Sequence, residues 1–211
     1  MPPVSPADVP PVGARIRQAR QERGVSLRAL AREVGVSASL VSQIETGKSQ
    51  PSVSTLYAIT TALGISVESL FEQRETVAAT GSAMVAHALA AFAADPARRI
   101  GPLITPGERE VLELDSGVVW ERLGHVPGTD VDFLLVTYRP GGSSSTSGGL
   151  MRHAGTEYGY LISGELALTL GFDTYTLRPG GAVCFESTTP HRYCNDGEEP
   201  AVGVWFVFSD T

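Results

Sequence analysis

His153 and Glu157, four residues apart, and His191 further along are side chains of the types that hold a divalent metal. Two neutral imidazoles and one carboxylate form a three-point facial set for iron, zinc, manganese or nickel, with positions left for water or a ligand. Met151, His153 and Glu157 share parity, so on an extended strand they face the same way. The thioether of Met151 is soft and weakly basic, which suits it to lining a pocket rather than ligating. The same three groups have an alternative use, as a polar cluster that grips a small polar effector directly. Trp120, Tyr158, Tyr160, Phe185 and Tyr193 are aromatic candidates for the pocket mouth. Arg139 and Arg192 are cations that could neutralise an anionic ligand.

A second group sits near the N-terminus. Ser37, Ala38, Ser39, Ser42 and Gln43 are small or uncharged residues on one side of a short helical pattern whose other side carries Leu40, Val41 and Ile44. A short helix with a compact polar outer face fits a DNA major groove. Gln43 is its one long side chain able to both donate and accept, and Lys48 follows just past the helix.

The elements that must position these groups differ in the two halves. Ser26 is an N-cap for a helix with Leu27, Leu30, Ala31 and Val34 at i, i+3, i+4, i+7, and Gly35 closes it. Ser37 caps the next helix. A preceding helix runs from about Val12 to Glu22. Pro51 and Ser52 open a fourth, with Leu56, Ile59 and Leu63 inward, and Ser66 caps a fifth that ends near Phe71. From Arg98 onward, some eight short apolar or alternating runs separated by Gly, Pro and Asp predict an all-β barrel or sandwich. The domain plan is therefore a disordered proline-rich arm at 1–11, a helical unit at 12–73, an alanine-rich linker, helical or flexible, at 74–97, and a β unit at 98–211.

Charge is segregated in the same way. Residues 12–48 hold seven basic and three acidic side chains, and residues 76–211 hold eight basic and sixteen acidic, within a chain of net charge -7. A basic module ahead of an acidic one fits phosphate contact by the first and another task for the second. No apolar run is long enough to span a bilayer, and the N-terminus has no basic-then-apolar leader pattern. The two cysteines, Cys184 and Cys194, are too few for a disulfide framework and are expected as buried small hydrophobes in a reducing cytoplasm.

The run LA..VGVS..LVSQIE.GK..PS..TL..I..ALG.S...LF resembles the lambda-repressor-like, Xre-type helix-turn-helix family over Val12 to Phe71. The resemblance implies a five-helix DNA-binding domain that meets double-stranded operator DNA. Ser37, Ala38, Ser39, Ser42 and Gln43 then take the groove-facing positions, Lys48 a phosphate contact, and Arg20 and Glu45 a bridging pair. The β unit resembles the small cupin (jelly-roll) barrels. His153, Glu157 and Gly164 fit one cupin motif and Gly180, His191 and Asn195 the other, whereas Met151 stands where the family has a histidine, and Glu186 and Thr188 replace a proline and a glycine. Together these imply a cytoplasmic transcription regulator, a homodimer or higher homo-oligomer joined through the barrel, that senses a small-molecule effector with or without a divalent metal. The layout also resembles hydroxypropylphosphonate epoxidase, which implies the alternative of a non-haem iron oxygenase with the same three ligands.

Overall fold

The computed structural model describes residues 12–71, 103–124 and 131–208. The expected arm at 1–11 and linker at 74–97 lie outside these residues.

The helical unit is built by local signals. Helices α1 (Val12–Glu22), α2 (Leu27–Val34), α3 (Ala38–Glu45) and α4 (Val53–Leu63) follow in order. Ser26, Ser37 and Ser52 each accept a bond from the backbone N–H three residues on, which satisfies an orphan donor at the helix start. Gly35 closes α2 in the left-handed region at φ 76°, where a Cβ would be strained. Ile16, Leu30, Val41, Ile44, Leu56, Ile59 and Leu63 form the core between the helices and are at most 1 % exposed. The expected fifth helix is a single 3-10 turn at Glu68–Leu70. Ser66 does cap it, accepting from Ser69 N–H, but three residues are too few for an α-helical ladder. Leu70 and Phe71 still bury completely and close the core.

The β unit has nine strands among the described residues, one more than expected. These are β1 (Val111–Leu114), β2 (Val118–Gly124), β3 (Val131–Tyr138), β4 (Thr156–Ser163), β5 (Leu166–Leu170), β6 (Asp173–Leu177), β7 (Ala182–Glu186), β8 (His191–Cys194) and β9 (Ala201–Phe208). The four-residue strands β1 and β8 fall outside the runs read from the sequence, and residues 103–105, within the stretch read as strand from Arg98 onward, form none. All pairings are antiparallel. One sheet has the order β1-β2-β3-β9-β4-β7 and the other β6-β5-β8, and together they form the two walls of the barrel.

Alternation sends Leu134, Val136 and Tyr138 of β3, Glu157 and Leu161 of β4, and Trp205 and Val207 of β9 into the interior. Gly159 of β4 makes room for the indole of Trp205, since a Cβ there would lie 2.9 Å from it. Cys184 is exposed and Cys194 half-buried, both as free thiols, so neither is the buried hydrophobe expected. Cys184 lies on the outward parity of β7, opposite Val183 and Phe185.

Candidate functional site

The barrel brings His153, Glu157 and His191 together, all three buried. They do not come from one continuous strand, as parity suggested. Met151 pairs with His191 in an isolated bridge, His153 lies in the loop that follows, and Gly155 turns the chain at φ 103° before β4 carries Glu157. The shared parity of Met151, His153 and Glu157 is therefore a coincidence of loop length, although the side chains converge.

Both imidazoles are oriented from behind. His153 Nδ1 lies 3.1 Å from the Ala154 carbonyl and His191 Nδ1 2.8 Å from the Thr189 carbonyl. A carbonyl only accepts, so each Nδ1 carries a proton, and in the neutral ring each Nε2 is then the atom with the lone pair. Those Nε2 atoms are buried without a hydrogen-bond partner and lie 3.8 and 3.9 Å from the two oxygens of Glu157. Tyr193 OH donates to Glu157 Oε2 at 3.0 Å and accepts from Trp205 Nε1–H at 3.2 Å, which holds the carboxylate in place. Three potential donor atoms thus lie within 4.8 Å of one another. Two unpartnered imine nitrogens facing a carboxylate are costly unless something binds them. A divalent metal fits this set, and with bonds of about 2.0–2.2 Å it would draw the three donors together.

Burial lowers the His191 pKa, against the opposing pull of Glu157 and the Thr189 carbonyl. The sign for stability follows. As pH falls through about 6.5 the unfolded chain takes up the proton first, so metal-free native protein loses stability from there down to the depressed pKa and no further below it. Thermal melts of metal-free protein should show this loss between neutral and mildly acidic pH, and His191→Gln should flatten it. Tyr57, Tyr138 and Tyr193 have pKa values raised well above the ordinary phenol, in each case mainly by burial, so all three are neutral donors at neutral pH.

Of the pocket residues expected from sequence, Met151 and Tyr193 line the small interior cavity together with Trp120, and Phe185 packs edge-on to His191 at 5.1 Å between ring centroids. Tyr158 and Tyr160 do not belong there. They alternate with Glu157 and Gly159 on β4, point outward and are about half exposed. Arg139 pairs with Glu113 at 2.9 Å on the surface and Arg192 donates to the Gly148 carbonyl, so neither serves the cavity. Sequence reasoning missed Val53 and Tyr57. Both come from α4, and both line the barrel cavity. The Tyr57 ring stacks on His153 at 3.9 Å with an interplanar angle of 4°. The available signal was that α4 is apolar on more than the one face its helical core needs.

At the other end, Ser39 and Gln43 of α3, its cap Ser37 and Lys48 just past it are exposed, with Ala38 and Ser42 half-buried. Ala38 packs partly against the core rather than standing fully outward. Glu45 receives a two-pronged bond from Arg20, at 2.5 and 2.8 Å, which ties α1 to α3. That bond raises the Arg20 pKa. Several of the basic residues counted from sequence are used internally. Arg15 donates to the Leu70 carbonyl, Arg20 to Glu45 and Arg23 to the Gly64 carbonyl, whereas Arg17, Arg28, Arg32 and Lys48 are exposed.

A family profile described as "Helix-turn-helix" matches residues 16–70, and one described as "Cupin domain" matches residues 134–207. The HTH-type transcriptional regulator DdrOP3 of Deinococcus deserti is 35% identical over 92 residues, covering 44% of this chain and 70% of that protein. The chain belongs to the HTH-type transcriptional regulators. The regulator is also similar over its greater length to the HTH-type transcriptional regulator PuuR of Escherichia coli, at 27% identity over 185 residues, or 87% of this chain and 86% of that protein. Its fold matches an HTH_3 family transcriptional regulator from Vibrio cholerae with a TM-score of 0.62 at 22% identity, covering 96% of this chain and 97% of that one. The regulator is thus a DNA-binding protein with a cupin domain. Among its described residues no helix is long and apolar enough to cross a membrane.

Proposed function

We propose that this regulator is a cytoplasmic protein that binds a specific operator through α3 and senses a small molecule in its barrel, at a site organised by His153, Glu157 and His191. The working units are residues 12–73 and 98–211. The observation that carries the reading is the pair of unpartnered Nε2 atoms facing Glu157, inside a barrel that belongs to a DNA-binding chain. A catalytic or sensing ion at such a set is iron, zinc, manganese or nickel by donor type. When bound, it would supply a Lewis-acidic centre with open positions for a ligand. The chain's own groups would orient it: Ala154 and Thr189 carbonyls fix the imidazole tautomers, and Tyr193 holds the carboxylate.

On DNA, Ser37, Ala38, Ser39, Ser42 and Gln43 meet the major groove and Lys48 a phosphate. Gln43 suits the edge of an adenine, to which a side-chain amide both donates and accepts. A homodimer presents two α3 helices to half-sites one helical turn apart. Support for pairing through the barrel comes from its outer face, where Phe133, Tyr158, Tyr160, Ile162, Phe206 and Phe208 are exposed on adjacent strands.

The test uses a DNA fragment selected by the purified protein. Gln43→Ala should cost about 1–3 kcal/mol on that fragment and relax preference at one base position, while Lys48→Ala should weaken all sequences about equally. Binding by Gln43→Ala with unchanged affinity and base preference would refute this placement of α3.

A facial His-Glu-His set also suits oxygen chemistry at iron, and this is the second reading. The described cavity beside it holds about 20 Å³, so a substrate, like an effector, would enter only after a rearrangement. Substrate-dependent oxygen or peroxide consumption by the iron-loaded protein would favour that reading.

A further inference from the structure

The DNA-binding unit itself covers the interior cavity beside Glu157. Val53 and Tyr57, one turn apart on α4, enter the cavity lined by Trp120, Met151, Glu157 and Trp205. Tyr57 stacks flat on His153 and meets Trp120 edge-on at 5.9 Å. Two main-chain bonds fasten the same edge: Ser54 N–H donates to the Ser144 carbonyl at 2.9 Å, and Asp115 N–H donates to the Pro51 carbonyl at 3.0 Å. With α4 in place this cavity has space for about one water molecule, too little for an effector beside Glu157.

We propose that α4 is the lid of the barrel and that Tyr57 holds the place of the effector, a flat ring molecule with one nitrogen or oxygen donor. The space Tyr57 fills has the shape of a phenol ring, is bounded by the imidazole of His153 and by Trp120, and belongs to the cavity that Glu157 lines. A ring that takes this space can stack as Tyr57 does and place its donor towards the three polar groups. Aromatic faces favour such an occupant over an aliphatic chain. Displacement of Tyr57 by a shift of the α4 backbone is not a local event. The other side of α4 carries Leu56, Ile59 and Leu63 into the helical core, all at most 1 % exposed, so α4 moves with α1, α2 and α3 as one body. Binding in the barrel therefore releases the DNA-binding unit from the barrel and changes how two copies present α3. This inference deepens the sensing reading and rests on it.

The chain carries its own reporter. Its two tryptophans, Trp120 and Trp205, both line the covered cavity. In full-length metal-free protein, acrylamide should quench their fluorescence weakly. Tyr57→Ala should raise the quenching constant severalfold, and Tyr57→Phe, which keeps the stack, should stay near wild type. Unchanged quenching in folded Tyr57→Ala overturns the lid. Wild-type protein loaded with Co(II) provides a measurement that needs no variant. Imidazole should alter the Co(II) visible absorption and raise tryptophan quenching over the same concentration range. An altered Co(II) spectrum with constant quenching also overturns the lid. Imidazole should shift the affinity of Co(II)-loaded wild type for a selected DNA fragment at least about fivefold and leave Tyr57→Ala unshifted. An equal shift in both proteins counts against the proposal. If Co(II) does not bind and Tyr57→Ala still exposes the tryptophans, the metal reading fails and the lid stands.

Discussion

His191→Ala is expected to abolish divalent-metal binding by the purified protein, while metal-free operator affinity stays close to wild type. The imidazole supplies one of only two nitrogen donors in the set, and nothing else among the described residues near it can replace that lone pair. Removing an outer partner of a metal ligand already costs about 10–100-fold in affinity, and loss of the ligand itself should exceed that range. Tyr193→Phe is the graded counterpart. It deletes the hydroxyl that donates to Glu157 at 3.0 Å and should fall within that range. Co(II) titration followed by visible absorption measures both. DNA affinity is expected to hold because α3 touches none of these groups and its own core lies in the helical unit. Full metal affinity in His191→Ala would mean that the three residues are a polar cluster and not a metal centre.

Glu45→Ala is expected to destabilise the helical unit by about 1–3 kcal/mol, because the part-buried Arg20 guanidinium loses its charged partner and keeps its bond to the Val25 carbonyl. The Glu45 and Arg20 side chains are only 3 % and 12 % exposed, so water does little to replace the lost pair. A loss of that size is a large part of the stability of a small domain, and operator binding should fall with the folded fraction. The double variant Arg20→Met with Glu45→Leu should recover much of the stability, since the charge that needed a partner is gone as well. Chemical denaturation monitored by far-ultraviolet circular dichroism reads all three proteins. An unchanged midpoint in Glu45→Ala would show the pair to be worth no more than an exposed one.

The helical unit was legible because its signals are local. Ser26, Ser37 and Ser52 cap the helices they precede, and the i, i+3, i+4 apolar stripes lie in the core. The fifth helix was over-read, since a cap at Ser66 marks a start and says nothing of length. In the barrel, the three polar residues were legible from residue type, spacing and the cupin resemblance together, but their support was not. Alternation from Glu157 places Tyr158 and Tyr160 outside, and only the position of β4 between β9 and β7 reveals which parity is inward. The loop at Gly155 breaks the strand that parity assumed for His153. Tyr57 was legible only as an excess: α4 is apolar on more than the face its helical core needs, but nothing local names His153, in the other domain, as the ring it stacks on.

The central claim is that this chain reads a specific DNA sequence and that its barrel serves that reading. Selection of genomic fragments by the purified full-length protein, with sequencing of the bound pool, tests it most directly. The expected result is enrichment of a pseudo-palindrome with half-site centres one helical turn, about 10 base pairs, apart, and weaker enrichment with relaxed preference at one base position of each half-site for Gln43→Ala. A folded, metal-loaded protein that enriches no sequence over random fragments would contradict the account.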